Sequence, residues 1–159
     1  HGAKAPLVVC VDGVQDPGNL GTIVRSADAV GATAVVLGRG TVDLYNPKTV
    51  RSTMGSLFHL PIVEAELEPL LAEAGARGVQ LVVTSLQAQE SCYAVDFTRG
   101  TWFVVGNEGR GVSDSVARHV NRHVIIPMPG GSESLNVAMA ATVLLFEASR
   151  QRLKTIISF

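Results

Sequence analysis

The sequence predicts an α/β domain with a mostly parallel sheet and helices on both faces. Short apolar runs alternate with segments of helical periodicity along the 159 residues. The runs are flanked by turn residues and lack in-out alternation, which is typical of parallel strands buried on both sides. A chain of this length buries roughly 70% of its unfolded surface. We therefore expect one domain over residues 1–159.

Each predicted element follows from a local pattern. The apolar runs predict strands at Leu7–Val11, Ala34–Leu37, Leu60–Val63, Leu81–Thr84, Trp102–Val105 and Val124–Ile126. Helical spacing predicts helices at Asn19–Val30, Glu66–Ala76, near Ser113–His119 and at Leu135–Lys154. A glycine-rich turn and Pro47 interrupt this alternation before the segment 49–54.

Composition limits the compartments in which the protein can work and the partners that it can bind. No apolar run approaches the roughly 18 to 20 residues of a membrane span. Cys10 and Cys92 lie in apolar surroundings without a C-x-x-C spacing, so we expect free thiols and a cytoplasmic protein. A net charge of −1 gives no general attraction for nucleic acid, and any such contact must come from a local cluster.

The first residues look like the remnant of a tag. The chain begins His1-Gly2 and has no starting Met, so we interpret residues 1–6 as tag remnant or linker. We therefore expect that a part of the native protein upstream of these residues is missing.

Two glycine-bearing turns, each after an apolar strand, indicate a ligand site. One is Gly106–Gly111 and the other opens the last helix at 125–136. Glycine allows the main chain to approach a small molecule closely. Because ligands bind beyond the carboxyl ends of parallel strands, the loops after Val11, Thr84, Val105 and Ile126 are expected to converge. The spacing G-x-x-G-x-G does not match the dinucleotide pattern G-x-G-x-x-G, which disfavours a nicotinamide oxidoreductase.

Three segments together resemble the motifs of the SpoU (TrmH-like) branch of the SPOUT methyltransferases. They are Asn-Leu-Gly-Thr-Ile-Val-Arg at 19–25, Gly-Asn-Glu-Gly-Arg-Gly at 106–111, and Ile126-Pro-Met with Ser-Leu-Asn-Val at 134–137. The resemblance implies a deep trefoil knot in the C-terminal part and a homodimer with active sites at its interface. It also implies methyl transfer from S-adenosylmethionine, leaving S-adenosylhomocysteine, to a ribose 2′-hydroxyl of tRNA or rRNA. Because many family members carry a separate N-terminal RNA-binding domain, the resemblance further implies such a domain upstream of this chain.

The resemblance also assigns the donor-binding residues. Gly106, Ile126 and Leu135 are expected to line the donor pocket. Further wall and backbone contacts are expected from Thr84, Ser85, Leu86, Asn107, Gly109, Met128 and Ala138. Such a pocket should be mostly apolar with a few backbone hydrogen bonds. For Ile126 and Leu135 the alternative is a purely structural place in the core.

The expected catalytic residues are polar side chains of the three motifs: Arg25, Asn19, Glu108, Ser134 and Asn136. A guanidinium stays protonated, so Arg25 is expected to hold an RNA phosphate rather than accept a proton. Asn19 would brace the first loop, Glu108 would hold Arg25 within the chain or across the dimer, and Ser134 with Asn136 would orient the ribose or Arg25. Ser132 or Ser134 could instead cap the last helix, and Glu108 could be a solvated carboxylate.

RNA contacts are expected from cations near the cleft: Arg25, Arg39, Lys48, Arg51 and Arg110. Tyr45 and Phe58 are candidates for base stacking, or alternatively loop and core anchors. His119 and His123 have the spacing of a zinc pair, but no third ligand is near in sequence, so no metal is expected.

The last helix is apolar on two faces, which predicts a partner subunit. One face can cover the sheet, and the other needs a second copy unless the helix lies wholly inside one domain. The alternative function is a dimeric module that binds the methyl donor or RNA without transferring methyl.

Overall fold

The computed structural model describes residues 5–131 and 135–156, with the backbone only for Phe58, Thr155 and Ile156. Six parallel strands form one sheet in the order β3-β2-β1-β5-β4-β6. Their bounds are β1 Leu7–Asp12, β2 Ala34–Leu37, β3 Ile62–Glu64, β4 Gln80–Thr84, β5 Thr101–Gly106 and β6 Arg122–Val124. The predicted parallel α/β architecture is confirmed.

Five α-helices are described: α1 Pro17–Ala29, α2 Pro47–Ser52, α3 Leu67–Ala76, α4 Asp114–Ala117 and α5 Val137–Ile156. Short 3₁₀ turns lie at Ser56–Phe58 and Cys92–Ala94. Helix α1 begins where Asp16 accepts hydrogen bonds from the N–H groups of Gly18 and Asn19, with Pro17 in the first turn. Among the described helices, none is long and apolar enough to cross a bilayer.

The strand bounds differ from the prediction mainly at β6. We expected a strand at Val124–Ile126, whereas β6 ends at Val124. The apolar run continues to Ile126, but the backbone of Ile125 bonds to Glu90 and Cys92 instead of extending the ladder with β4. The isolated bridge between Ser91 and Ile125 ties this segment to the Cys92–Ala94 turn.

Helices cover both faces of the sheet. On one face, β1 residues such as Val9 pack with buried residues of α1 and α5. On the other face, Val8 and Cys10 pack with Leu71 of α3 and Val116 of α4. Consecutive residues of β1 are therefore buried on opposite sides, which explains the absence of polar alternation in the sequence.

The strand order places four loops side by side. Strands β1, β5, β4 and β6 are neighbours and parallel, so the loops that follow them share one edge of the sheet. This is the convergence expected from the sequence. A dinucleotide-binding sheet has the order 3-2-1-4-5-6, whereas here β5 lies beside β1 and β4 lies outside it.

Candidate active site

Two adjoining cavities lie beyond the carboxyl ends of β4, β5 and β6, against the start of α5. The first, of about 120 Å³, is lined by Thr84, Ser85, Leu86, Ile125, Ile126, Met128, Leu135 and Ala140. The second, of about 220 Å³, shares Thr84, Leu135 and Ala140 with the first and adds Gly106, Asn107 and Glu108. We call the two together the donor cavity. It brings together most of the donor-binding residues expected from the sequence.

Two of the expected donor-binding residues do not line the donor cavity. Ala138 is buried in the core between α5 and the sheet, and Ala140 contributes to the wall instead. Gly109 belongs to the turn after β5, where its N–H donates to Asn107 Oδ1 at 2.9 Å. The wall residues Ile125 and Ala140 were not expected from the sequence, although their apolar character at a strand end and on α5 was a usable signal.

The turn after β5 is held by Asn107. Its backbone N–H and C=O pair with those of Gly111 at 3.0 and 2.9 Å. Its side-chain Oδ1 accepts from the N–H groups of Gly109 and Arg110. Its Nδ2 donates to the carbonyl of Gly13 at 2.9 Å, which ties this turn to the loop after β1. Asn107 thus shapes the cavity wall, with its side chain committed to the protein.

The structure explains the glycine at position 106 differently from the sequence. We expected its missing side chain to let a ligand approach the main chain. A Cβ on Gly106 would lie 2.3 Å from the backbone carbon of Gly111 and from the backbone nitrogen of Val112. The turn therefore folds back over Gly106, and the space is filled by the chain itself.

Glu108 joins the turn after β5 to the start of α1. Its Oε2 accepts from Asp16 N–H at 2.8 Å and from Asn19 Nδ2 at 3.1 Å, and its Oε1 accepts from Gln15 N–H at 3.1 Å. Partial burial raises the pKa of Glu108. The hydrogen bonds from the N–H groups of Asp16 and Gln15 lower the pKa, and together the hydrogen bonds outweigh burial, so the net shift is downward. Glu108 is consequently an ionised hydrogen-bond acceptor.

Asn136 extends this connection to α5. Its Nδ2 donates to Asn19 Oδ1 at 3.1 Å, and its Oδ1 accepts from the N–H of Ala138 at 2.8 Å. The side chains of Glu108, Asn19 and Asn136 therefore form one hydrogen-bonded chain, which we call the polar triad. The polar triad links the three motifs, which lie far apart in the sequence. Ser134 and the alternative cap Ser132 lie outside the described residues.

Arg25 lies outside the polar triad. It is an exposed residue on α1, and no hydrogen bond or ion pair joins it to the described parts of the chain. Within one chain, Glu108 therefore binds Asn19 rather than Arg25, and a pairing of Glu108 with Arg25 across a dimer stays a prediction. The Arg25 guanidinium remains available to a ligand or to a second subunit.

The expected RNA-binding cations fall into two groups. Arg39 and Arg110 line one polar cleft on the far side of the turn after β5. Lys48 and Arg51 are exposed on α2 and do not line that cleft. Tyr45, in the loop before α2, is 70% exposed.

Within residues 5–131 and 135–156, no group of three or more His, Cys, Asp or Glu side chains is placed to hold a metal ion. His119 and His123, the pair with zinc-like spacing, lie on either side of the start of β6.

A protein-family model and several curated proteins are similar to this sequence. The family model described as "SpoU rRNA Methylase family" matches residues 6–146. A 23S rRNA (guanosine(2553)-2′-O)-methyltransferase of Bacillus subtilis is 44% identical over 144 residues, which cover 91% of this chain and 58% of the relative. A 23S rRNA (uridine(2479)-2′-O)-methyltransferase of Streptomyces viridochromogenes is 40% identical over 92% of this chain and 53% of the relative. The chain thus spans little more than half the length of these curated relatives.

Solved structures agree with the sequence matches. The SpoU methyltransferase AviRb from Streptomyces viridochromogenes, solved in complex with the cofactor AdoMet, superposes with a TM-score of 0.87 at 38% identity, covering 96% of this chain and 63% of that one. The TrmH/SpoU tRNA modifying enzyme of A. aeolicus gives a TM-score of 0.81 at 33% identity, over 96% of this chain and 78% of that one. The chain belongs to the SpoU rRNA methylase family.

Proposed function

We propose that this chain is the catalytic domain of an enzyme that transfers a methyl group from S-adenosylmethionine to a ribose 2′-hydroxyl of rRNA or tRNA. The observation that carries the proposal is the donor cavity adjoining the polar triad, at the edge where β1, β5, β4 and β6 end. Family membership and relatives named as rRNA 2′-O-methyltransferases support it.

The donor cavity suits an S-adenosylmethionine molecule. Its walls are mostly apolar, through Leu86, Ile126 and Leu135, and two hydroxyls, from Thr84 and Ser85, interrupt them. Apolar walls with a few polar groups are typical of sites for small molecules that carry an aromatic base. When bound, S-adenosylmethionine supplies an electrophilic methyl group on a positively charged sulfur. The AdoMet complex of AviRb is a precedent on the same fold.

The residues of this chain act by holding and orienting the RNA. Arg25 donates to an RNA phosphate beside the target ribose, since a guanidinium grips phosphate oxygens through two parallel hydrogen bonds. The ribose oxygen forms the new bond to the methyl carbon as the carbon–sulfur bond breaks and its electron pair stays on sulfur. The hydroxyl proton leaves to phosphate or water, because Arg25 is already protonated.

Glu108, Asn19 and Asn136 serve this step mainly as positioning residues. Their hydrogen bonds hold the start of α1, the turn after β5 and the start of α5 in one arrangement. That arrangement sets the distance between the donor cavity and the RNA-contacting residues. By motif match, we assign Ser134, which lies outside the described residues, the role of orienting the ribose or Arg25.

RNA contacts are electrostatic and local. Arg39, Lys48, Arg51 and Arg110 are exposed cations, so their contacts with phosphate should weaken as salt rises. Exposed Tyr45 is available to stack on an unpaired base. Much of the choice of RNA would then reside in a further domain, because the matched relatives are nearly twice as long as the matched region.

We also propose a homodimer. On α5, Met139, Phe146 and Leu153 recur every seven residues and are 55%, 49% and 43% exposed, so they form one apolar stripe. A second copy would cover this stripe. Residue Arg25 on α1, which packs against α5, could then reach the partner's donor cavity.

The trefoil knot and the cytoplasmic location are proposals by family likeness. In the knot, the segment after β6 would pass through a loop before α5 returns across the sheet. The proposed substrates, ribosomal and transfer RNA, are the reason for proposing a cytoplasmic location. Buried Cys10, whose thiol pKa is raised to about 12 by burial, is consistent with a chain that forms no disulfide.

A label-transfer assay tests the proposal. Protein is incubated with methyl-labelled S-adenosylmethionine and ribosomal RNA, the RNA is digested, and the product is identified as a 2′-O-methylnucleoside. We expect label in that product for the wild type and its loss for Arg25→Ala, with Arg118→Ala, an exposed arginine on another helix end, as the matched control. Binding of S-adenosylmethionine without transfer to ribosomal or transfer RNA would favour the non-catalytic module.

A further inference from the structure

A second, polar cleft lies on the other side of the turn after β5. It has a volume of about 370 Å³ and is formed by the loops after β1, β2 and β5 with the starts of α3 and α4. We call it the flanking cleft. Its volume falls within the roughly 300 to 1,000 Å³ typical of small-molecule sites.

Two carboxylates face the flanking cleft. Asp12 Oδ2 accepts from Ser113 N–H at 2.7 Å, and Glu68 Oε2 accepts from the Ser115 hydroxyl at 2.9 Å. The pKa of Glu68 is lowered by its own backbone N–H and by Ser115, which keeps this group ionised. A carboxylate has about four lone-pair sites, so each retains acceptor capacity toward a ligand.

Two guanidinium groups complete the lining. The Arg110 side chain is exposed and has no ion pair among the residues that the structure describes. Arg39 pairs with Glu66 at 2.8 Å, but both side chains are largely exposed. Exposed pairs contribute little stability and exchange easily for a phosphate.

The flanking cleft adjoins the proposed reaction site. Asn107 and Gly111 line both the flanking cleft and the donor cavity, so one turn separates the two. Gln15 lines the flanking cleft, while its backbone N–H donates to Glu108 of the polar triad. An occupant of the flanking cleft would therefore be separated from the donor cavity only by the turn after β5, and from the polar triad by the loop that contains Gln15.

We propose that the flanking cleft binds the RNA nucleotide next to the methylated one and prefers guanine there; this rests on the function proposed above. Guanine presents two adjacent donors, N1–H and the 2-amino group, which match the acceptors of a carboxylate. Adenine and uracil each present a single donor beside an acceptor. That acceptor would lie against a carboxylate oxygen, and the two acceptors would repel each other. Asp12 and Glu68 read the base edge, and Arg39 and Arg110 contact its phosphates.

Nuclear magnetic resonance titration of the ¹⁵N-labelled chain tests this assignment. The probes are the 5′-monophosphates of guanosine, inosine, adenosine and uridine at millimolar concentration, with S-adenosylmethionine titrated separately. We expect guanosine monophosphate to shift the amides of Gly13, Gly111 and Ser115 at lower concentration than the other three. S-adenosylmethionine should instead shift Gly106, Ile126 and Leu135.

Two variants sharpen the assignment. Glu68→Gln should weaken the binding of guanosine monophosphate by about fivefold or more, because a charged acceptor is lost. Asp114→Asn, an exposed carboxylate at the start of α4, is the matched control and should leave it unchanged. Unchanged binding of S-adenosylmethionine by both variants shows that the fold is intact.

The assignment is overturned if guanosine monophosphate shifts no amide of the flanking cleft, if the four nucleotides act alike, or if Glu68→Gln has no effect. A chain that responds to guanosine monophosphate in the flanking cleft but not to S-adenosylmethionine would contradict the proposed function instead.

Discussion

At the scale of single residues, the site depends on side chains that bind other parts of the protein rather than a ligand. Asn107 uses its whole amide to hold a turn, and Asn19 uses its amide to join Glu108 to Asn136. The polar triad, whose three residues were expected to be catalytic, thus fixes the relative positions of the start of α1, the turn after β5 and the start of α5. This is the kind of support that a reaction between two bound molecules requires.

Asn19→Ala tests the polar triad. The change removes one donor and one acceptor, and each lost hydrogen bond costs about 1 kcal/mol. We expect a fall of about tenfold or more in the single-turnover rate of methyl transfer, with the dissociation constant of S-adenosylmethionine changed less than threefold. The control is Asn121→Ala, which also removes one donor and one acceptor, but at the starts of β4 and β6 rather than at the carboxyl ends of the strands. Equal rates for wild type and Asn19→Ala would refute the positioning role.

Glu108→Gln tests the charge at the centre of the polar triad. The folded-state pKa of Glu108 lies below its ordinary value of 4.5. A carboxyl with a lowered folded pKa stabilises the fold above its unfolded pKa, and that contribution is lost as pH falls through the folded pKa.

The difference in unfolding free energy between wild type and Glu108→Gln should therefore be largest near pH 7 and shrink below about pH 4.5. Urea denaturation at a series of pH values measures it. Glu73→Gln, which removes one charge from an exposed ion pair, is the control. A difference that grows as pH falls would contradict the hydrogen bonding described for Glu108.

At the scale of elements, the sequence was informative about strands and helices and less so about what closes the site. Apolar runs located β1, β2, β4 and β5 because they are buried on both faces, and that burial leaves a clear pattern. Residue Ile125 continued such a run, yet its backbone bonds to Glu90 and Cys92. A pairing with a distant loop leaves no trace in local periodicity.

The same limit applies to the candidate site. Most donor-cavity residues were found by motif match, since the motifs lie at strand ends that meet at one sheet edge. The hydrogen bond between Glu108 and Asn19 within the chain was not predicted, because Asn19 and Arg25 lie on one helix and only the fold shows which of them faces Glu108. The flanking cleft was missed because Asp12 and Glu68 lie on separate βα units.

Gly21→Ala tests the contact between α1 and α2. A Cβ on Gly21 would lie 2.1 Å from Ser52 Cβ, so α2 would have to move. We expect a loss of about 1 to 3 kcal/mol in unfolding free energy. Thr22→Ala, at the neighbouring exposed position, should change it by less than about 0.5 kcal/mol. Chemical denaturation measures both, and equal stabilities would show that the two helices are not packed as described.

Arg152→Ala tests the hydrogen bonds between α5 and the segments that precede β1 and β5. Arg152 donates to the carbonyls of Ala5, Pro6, Phe97 and Arg99 at 2.7 to 3.1 Å. Its loss leaves several carbonyls without this donor, so we expect a destabilisation of about 2 to 3 kcal/mol. Lys154→Ala, on the last turn of α5, is the control. Similar melting temperatures for both variants would argue against this role.

At the scale of the whole molecule, the proposed dimer is the main prediction. Phe146→Glu places a charge in the apolar stripe of α5, which is unfavourable at a buried interface. We expect light scattering to show a dimer for the wild type and a monomer for Phe146→Glu, with methyl transfer lost in the monomer. Tyr93→Glu, at another exposed aromatic residue, should leave the dimer intact. A wild-type monomer that transfers methyl would contradict the dimer.

The central claim is that the turns after β4, β5 and β6 enclose the methyl donor beside the polar triad. A crystal structure of the chain with S-adenosylmethionine tests it most directly. The account predicts electron density for the donor between Leu86, Gly106 and Leu135, with its methyl group turned toward the side of Glu108 and Asn19. Density for the donor at any other place, with these turns empty, would contradict the account.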